Sequence, residues 1–358
     1  MLKKFIVFLL FIIPIKVQAI SASSAIVMDQ YSNRILYSSN ISEKKLIAST
    51  TKIMTALIAI NYGDLDKKVE VDNSVLKAYG SAIYIEVGEI ITLRDLLYGL
   101  MLRSGNDAAM VIANEVAGSM NKFVVLMNQL AIDIGMKNTT FINNHGLEES
   151  DGSGNLSTAY DMALLMKYAM KNKIFREISA TKTYKTSTNY KSYFWVNKNK
   201  ILHSNDFVTG GKTGYTKKAR RTLVTSASKD NMDLVIVTLN DPNDFKDHID
   251  LYNKYFNVYH AVLVLDKNNF QIKDSIYKDN VKFKINNNYY ALVKSGEENK
   301  LRVKYNLINS KIIRNNTLVG KAQVYLNDEI LHEENIFAVV RNKKVKKTWW
   351  QKFLGWFR

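Results

Sequence analysis

The order of hydrophobic patterns along the chain constrains its fold more than any other sequence feature. Strand-like runs at residues 25–28 and 34–37 flank a turn at 30–33, and further strand-like runs follow residue 180. Between these regions the apolar residues recur with a helical period. Strands at both ends of a helical middle predict a sheet that carries helices on its faces. We therefore expect an α/β (α+β) domain over residues 20–255.

Several helix starts are indicated by their first residues. Ser49 begins an apolar run that predicts a helix through residue 60. Thr92 precedes another run, with Asp95 at the third helical position, which is typical of a capping box. Helical period also covers residues 106–116, residues 123–134, and a run that Ser157 or Thr158 caps and that extends towards residue 170.

From residue 256 onwards, polar and apolar residues largely alternate, with short polar turns between the runs. The alternation is clear at residues 281–285, 301–305 and 322–326. A strand with one buried and one solvated face has this pattern. The sequence therefore predicts a small all-β domain over residues 256–340.

The two ends of the chain carry targeting signals. Residues 1–19 combine a basic start, a short apolar run and Ala19 before the expected cut, which is typical of a secretory signal peptide. Residues 341–358 hold three of the four tryptophans, and a helix would place the aromatic residues on one face. This composition predicts an amphipathic tail at a membrane surface, so we expect an exported protein on the outer face of the cytoplasmic membrane, periplasmic or extracellular. The alternatives are an uncleaved N-terminal anchor and a terminal helix docked on the protein itself.

Composition narrows the classes of function. The formal net charge is +17, but the lysines are scattered and the chain carries an export signal, so we expect attraction to an anionic envelope and no nucleic-acid partner. The absence of cysteine excludes disulfides and a thiol nucleophile. The histidines lack the spacing of a metal site, and the Gly211-Lys212-Thr213 run lacks the first glycine of a phosphate-binding loop. We expect no metal and no other cofactor.

The first candidate catalytic pair is Ser49 and Lys52. Lys52 stands three residues after Ser49, so a helix places both side chains on the same face. A helix N-terminus also offers free N–H groups to an oxygen that gains negative charge. A neutral lysine, its pKa lowered by burial and nearby cations, can accept the serine proton. The Ser-x-x-Lys pattern occurs at six other serines, so a capping serine with a solvated lysine is the alternative for this motif alone.

A second motif is Ser104-Gly105-Asn106, which comes before a predicted helix. Ser104 could relay a proton towards a leaving group, and Asn106 could hold both a substrate carbonyl and the Lys52 side chain. An ordinary loop with a helix cap is the alternative.

A third motif is Lys212-Thr213-Gly214, which occurs once in the chain. Lys212 and Thr213 could hold a substrate carboxylate by charge-assisted hydrogen bonds. Gly214 would let a ligand backbone lie close to the strand.

Taken together, the three motifs are specific. Their order and their separations of about 55 and 108 residues resemble the penicillin-recognising serine D-alanyl-D-alanine carboxypeptidases, as does the sequence at 48–55, 97–109, 140–161 and 211–216. The resemblance is specific over residues 22–240 and weaker over the β domain and tail. It implies the following roles: Ser49 as the acylated nucleophile, Lys52 as general base, Ser104 and Asn106 as the second motif, Lys212 and Thr213 as carboxylate ligands, and the backbone N–H groups of Ser49 and Tyr215 as an oxyanion hole.

The resemblance also implies a reaction. The enzyme would remove the terminal D-alanine from peptidoglycan stem pentapeptides, and β-lactams would acylate the same serine. A serine β-lactamase is one alternative, although the segment between Asn106 and Lys212 lacks a Glu-x-x-x-Asn motif for deacylation. A catalytically silent envelope-binding protein is the other. One departure from the family pattern is Arg220, which stands where a glycine is expected and affects the turn after the third motif.

Overall fold

The computed structural model describes residues 20–273, 275–277, 281–309 and 313–340. The expected signal peptide and amphipathic tail lie outside these described residues. The helices are α1 (Lys52–Tyr62), α2 (Leu93–Tyr98), α3 (Asn106–Ala117), α4 (Met120–Ile134), α5 (Ala159–Ala169), α6 (Lys173–Ala180), α7 (Lys200–Ser204) and α8 (Asp244–Val258). The strands are β1 (Ser24–Asp29), β2 (Ile35–Ser39), β3 (Lys45–Leu46), β4 (Lys68–Glu70), β5 (Ile90–Thr92), β6 (Leu156–Ser157), β7 (Thr183–Ser187), β8 (Ser192–Val196), β9 (Val208–Thr216), β10 (Arg220–Lys229), β11 (Met232–Leu239), β12 (Tyr259–Leu265), β13 (Val281–Lys284), β14 (Tyr289–Lys294), β15 (Leu301–Leu307), β16 (Leu318–Leu326) and β17 (Glu329–Val340).

A five-stranded antiparallel sheet of order β2-β1-β11-β10-β9 forms the centre of the first domain. Alternate residues of β1 face opposite sides of the sheet. Ile26 and Met28 join the main core, while Val27 joins a second cluster with Leu251 and Tyr252 of α8. Helices therefore pack on both faces, and the predicted α/β architecture is confirmed.

Two predicted helix starts have the expected caps. The Thr92 hydroxyl accepts the Asp95 backbone N–H at 3.0 Å, and the Thr158 hydroxyl accepts that of Asp161 at 3.1 Å. The start at Ser49 differs from the prediction, because residues Ala48–Thr51 form a 3₁₀ turn and α1 begins at Lys52.

In the part of the chain that the structure describes, no single helix is both long and apolar enough to cross a bilayer. Helices α3 and α4, bent by 85° at their junction, reach the required length and composition only when they are taken together.

The C-terminal part is all-β, as predicted. A four-stranded sheet of order β13-β17-β16-β15 and the two-stranded β12–β14 sheet enclose one core that includes Leu265, Val324 and Ile336. Strand β17 was not predicted from the sequence, because polar and charged residues at its exposed positions around Glu333 hide the alternation that is typical of a strand. Helix α8 runs on to Val258, past the domain boundary expected at residue 255.

Candidate active site

Ser49 lies in the 3₁₀ turn that leads into α1, and it is half-buried. The preceding residue, Ala48, has a φ of 47°, which is the left-handed region that side chains usually avoid. Gly146 packs against this turn, where an added Cβ would overlap the Ala48 carbonyl oxygen and lie 2.8 Å from Thr51 Oγ1. The turn that carries Ser49 therefore depends on a glycine from a distant loop.

Lys52 is fully buried directly after this turn. Its Nζ lies 3.2 Å from Ser49 Oγ, 2.6 Å from Asn106 Oδ1 and 2.6 Å from the His145 carbonyl oxygen. All three partners are uncharged oxygens, so none of them compensates a positive charge on Nζ as a carboxylate would.

The electrostatic environment favours a neutral amine at Lys52. Burial lowers the pKa of Lys52 well below its ordinary value, and the charges of Lys212 and Lys198 lower it further, while Asp107 acts in the opposite direction. Burial also lowers the pKa of Lys212 to about 7, with Lys198 as the second cause. Two buried lysines therefore share one site, and this environment disfavours the charged form of each.

The second motif lies where α2 passes through a π-helical turn, Gly99–Arg103, into α3. Ser104 is buried at a φ of 65°, and its hydroxyl has no hydrogen-bond partner among the described residues. The Asn106 amide accepts from Lys52 and donates to the Tyr79 carbonyl at 2.6 Å, which fixes its orientation. The backbone N–H of Asn106 donates to the Ser81 carbonyl at 2.7 Å, so the loop that carries Ser81 is held against the motif.

The third motif lies on the edge strand β9. Thr213 and Gly214 line a cavity, and Tyr215 is exposed beside them. A Cβ on Gly214 would lie 3.0 Å from the Ser49 backbone nitrogen and 3.1 Å from that of Thr50, so only glycine allows this close approach. Lys212 differs from its neighbours, because it is 1% exposed and its Nζ donates to the Thr213 carbonyl at 2.8 Å.

The cavity has a volume of about 570 Å³ and joins residues that are far apart in the sequence. Of the predicted site residues, Ser49, Ser104, Thr213, Gly214 and Tyr215 line it. Lys52 and Asn106 lie behind Ser49, in hydrogen-bond contact with each other. The structure thus places five of the eight predicted site residues in the cavity wall and the other three, Lys52, Asn106 and Lys212, buried behind it, with Lys212 Nζ bound to the carbonyl of the cavity-lining Thr213.

Some residues of this site were missed by the sequence analysis. Ser81, Lys198 and Lys200 line the cavity, and Lys198 donates to the Ser81 hydroxyl at 3.1 Å. The His145 carbonyl holds Lys52, and the similarity of residues 140–161 to the family was the one signal that could have indicated it. In the described ranges no group of three or more His, Cys, Asp or Glu side chains is arranged to hold a metal ion.

Comparison with known proteins assigns the family. The model of the D-alanyl-D-alanine carboxypeptidase family matches residues 14–243. The chain belongs to this family. The model of the penicillin-binding protein 5 C-terminal domain matches residues 259–347, which include the all-β part.

Relatives within the family support the same assignment. The chain is 36% identical over 222 residues to the D-alanyl-D-alanine carboxypeptidase DacF of Bacillus subtilis, a match that covers 60% of this chain and 56% of DacF. It is 34% identical over 218 residues to DacB2 of Mycobacterium tuberculosis, covering 61% of this chain and 74% of DacB2. The matched region therefore spans little more than half the length of DacF.

Solved structures agree with the fold. The D-alanyl-D-alanine carboxypeptidase of Mycobacterium tuberculosis H37Rv superposes with a TM-score of 0.64 at 31% identity, covering 67% of this chain and 92% of that one. Penicillin-binding protein 5 of Haemophilus influenzae superposes with a TM-score of 0.72 at 24% identity, covering 90% and 97%, and this likeness concerns the fold alone. The expected family is confirmed. The matches do not support either of the two alternatives, a serine β-lactamase or a catalytically silent binding protein.

Proposed function

We propose that this protein is a serine-type D-alanyl-D-alanine carboxypeptidase. It removes the terminal D-alanine from peptidoglycan stem pentapeptides through an acyl-enzyme on Ser49, and β-lactams acylate the same serine. The observation that carries the proposal is the environment of Lys52, a buried amine 3.2 Å from Ser49 Oγ with two further acceptors at 2.6 Å.

The proton count at Lys52 supports its role as general base. A neutral lysine has two N–H bonds and one lone pair. The two shorter contacts, to Asn106 Oδ1 and the His145 carbonyl, use both N–H bonds. The lone pair is then left for the third neighbour, Ser49 Oγ, whose proton it accepts as the oxygen attacks the substrate carbonyl.

An oxyanion hole is supported by the packing of β9 against the Ser49 turn. The backbone N–H groups of Ser49 and Tyr215 would donate to the tetrahedral oxyanion. Gly214, the residue before Tyr215, packs against the Ser49 and Thr50 backbone nitrogens. Donors held by a strand and a helix start need little reorganisation when charge develops.

The remaining residues of the site would bind the leaving group. Thr213 would hold the terminal carboxylate from the cavity wall, and Lys212 would supply positive charge from within the strand. The Ser104 hydroxyl lies in the cavity wall and has no hydrogen-bond partner in the described ranges, so it would pass the proton from Lys52 to the departing D-alanine nitrogen. Water would then hydrolyse the Ser49 ester and restore the enzyme.

The location and domain division are part of the same proposal. Residues 1–19 would direct export, and residues 341–358 would hold the protein at the outer face of the cytoplasmic membrane. We place the serine peptidase domain at 20–255 and the all-β domain at 256–340, and the family matches at 14–243 and 259–347 support a division in this region.

Two assays test the activity. Purified protein is incubated with fluorescent penicillin and the labelled peptide is mapped, and D-alanine release from a synthetic pentapeptide is measured. We expect label on Ser49 alone, together with D-alanine release. Fast turnover of a chromogenic cephalosporin without D-alanine release would instead identify a β-lactamase.

The role of Lys52 needs a substitution with a matched control. Lys52→Met should lower the acylation rate by about 10³-fold or more, because general-base catalysis is lost. Lys68→Met, at an exposed position of β4, should leave the rate unchanged. Acylation of the Lys52 variant at the wild-type rate would refute the mechanism.

A further inference from the structure

Two carboxylates lie together where the described chain begins. Ser21 Oγ is 2.6 Å from Asp241 Oδ1 and 2.8 Å from Asp247 Oδ2. The Ser21 backbone N–H also donates to Asp247 Oδ2 at 2.5 Å. Asp241 follows β11 and Asp247 lies in the first turn of α8, so both carboxylates face the segment that leads into β1.

Among the residues that the structure describes, no close ion pair joins a basic side chain to Asp241 or Asp247, although the charge of Asp247 acts on the neighbouring Lys246 at longer range. The basic side chains of the same region pair elsewhere, Arg221 with Asp244 and Lys246 with Asp250. Asp241 is 0% exposed, and among the described residues no donor meets its Oδ2 with hydrogen-bond geometry, although the Thr238 hydroxyl lies nearby. A buried carboxylate oxygen without a partner is costly, so the pair has unused capacity to bind a cation with several N–H donors.

We propose that Asp241 and Asp247 bind the α-ammonium group that signal-peptide removal creates at Ile20. Hydrolysis of the Ala19–Ile20 bond adds one water molecule, which leaves a carboxylate on Ala19 and an ammonium group on Ile20. The neutral amide of the precursor, with one N–H, thereby becomes a cation with three N–H donors. The inference rests on the proposed export and on cleavage after Ala19.

The distances allow this ion pair. The Ile20 nitrogen is three covalent bonds from the Ser21 nitrogen, which is itself 2.5 Å from Asp247 Oδ2. The Ile20 side chain is partly buried against the cluster that contains Leu251 and Tyr252, which restrains its backbone. Ser23 then forms two hydrogen bonds with Asn240. Its backbone N–H donates to the Asn240 carbonyl at 3.1 Å, and its hydroxyl accepts from the Asn240 amide at 2.8 Å.

The proposed ion pair forms only after the signal peptide is removed. In the precursor the hydrogen bonds that the structure shows to the acidic pair would come from neutral donors, Ser21 and the Asn243 backbone N–H. In the mature chain an ammonium group joins the start of β1 to the start of α8. Processing therefore stabilises the central sheet of the exported form.

The titration of the α-amine tests the ion pair directly. Mature protein that starts at Ile20 is prepared by removing a tag without residual residues, and the pKa of its unmodified α-amine is followed through the ¹³C NMR shifts of isotope-labelled Ile20. We expect a pKa above the usual value of about 8 in the wild type, returning towards it in the Asp241→Asn/Asp247→Asn variant. An α-amine pKa at or below the usual value in the wild type would overturn the proposal, whether or not the variant folds.

Thermal stability gives a second, independent readout. A chain that keeps Ala19 has an amide at Ile20, so it should melt at least about 2 °C below the chain that starts at Ile20. The Asp241→Asn/Asp247→Asn variant should show no such difference, while Asp250→Asn, in the same helix, should retain it. Equal melting temperatures for the two wild-type chains would contradict the proposal.

N-terminal sequencing of the exported protein separates this inference from the proposed activity. A mature chain that begins at another residue would overturn the ammonium site without affecting acylation of Ser49. A chain that begins at Ile20 but is not acylated would refute the enzyme mechanism, and the α-amine titration would still decide the ion pair.

Discussion

Replacing Gly214 with alanine tests how closely the site depends on the packing of β9 against the Ser49 turn. The added Cβ would overlap Thr222 Oγ1 and would lie 3.0 and 3.1 Å from the backbone nitrogens of Ser49 and Thr50. Ordinary contacts of this kind are about 3.5 Å or longer, so the strand must retreat by about 0.5 Å. Thr222 must also rotate, which removes its hydrogen bond of 3.1 Å to the Ile47 carbonyl.

Both effects have an expected size. A misplacement of about 1 Å at a reacting centre costs about 100-fold in rate, so we expect acylation to slow by about 10- to 100-fold. Overpacking and the lost hydrogen bond should lower the free energy of unfolding by about 1–3 kcal/mol. The rate is measured with fluorescent penicillin, and the stability is measured by urea denaturation.

Two controls separate the contacts. Gly214→Ala/Thr222→Ala removes the overlap with the threonine and keeps the close approach to Ser49, so acylation should stay slow relative to Thr222→Ala alone. Gly135→Ala introduces alanine at a φ of +89° with no atom within 4 Å, so it should affect stability only. Gly214→Ala with acylation within about twofold of the wild type would refute the argument that the approach of β9 positions the reacting groups.

Three further predictions follow from other parts of the structure. Burial lowers the pKa of Lys212 to about 7, so Lys212 loses its charge as the pH rises through this value. KM for D-alanine release should therefore increase at pH values above about 7. A KM that does not depend on pH would contradict the role of Lys212 as a cation. Arg220 has a φ of 60°, so Arg220→Gly should relieve backbone strain and raise the free energy of unfolding by about 0.5 kcal/mol. A lower free energy of unfolding for this variant in urea denaturation would exclude strain at this turn. Burial lowers the pKa of His248 from its ordinary 6.5 to about 3, so between these pH values the unfolded state binds more protons than the folded state. The free energy of unfolding should therefore fall as the pH drops from about 6.5 towards about 3. Urea denaturation at several pH values should show a weaker pH dependence for His248→Gln than for the wild type.

Much of the fold could be predicted because its signals are local. The capping contacts of Thr92 and Thr158 and the alternation in β13, β15 and β16 depend on neighbours within a few residues. β17 was missed, because its pairing with β16 lets charged side chains stand at the exposed positions. The 3₁₀ turn at Ser49 was also missed, since the left-handed Ala48 before it is held by packing against Gly146.

In the candidate site, too, the features with local sequence signals could be predicted, and those set by tertiary packing could not. The motif order identified the correct family and predicted residues that the structure gathers around one cavity. No local pattern indicated that Ser81 and Lys198 join that cavity, because their positions are set by the folding of separate segments against it. The expected glycine at position 220 has a physical reason, since the arginine there adopts a left-handed conformation.

The sequence by itself determined which chemical groups are available and which of them are neighbours along a helix or a strand. It placed a serine and a lysine three residues apart and supplied a lysine, a threonine and a glycine in one strand. Only the tertiary structure decided the chemical state of Lys52, because its burial and its contacts come from Asn106 and the His145 carbonyl, 54 and 93 residues away. The reactivity of an amine depends on solvation and on charges around it, and these are properties of the packed site rather than of the motif.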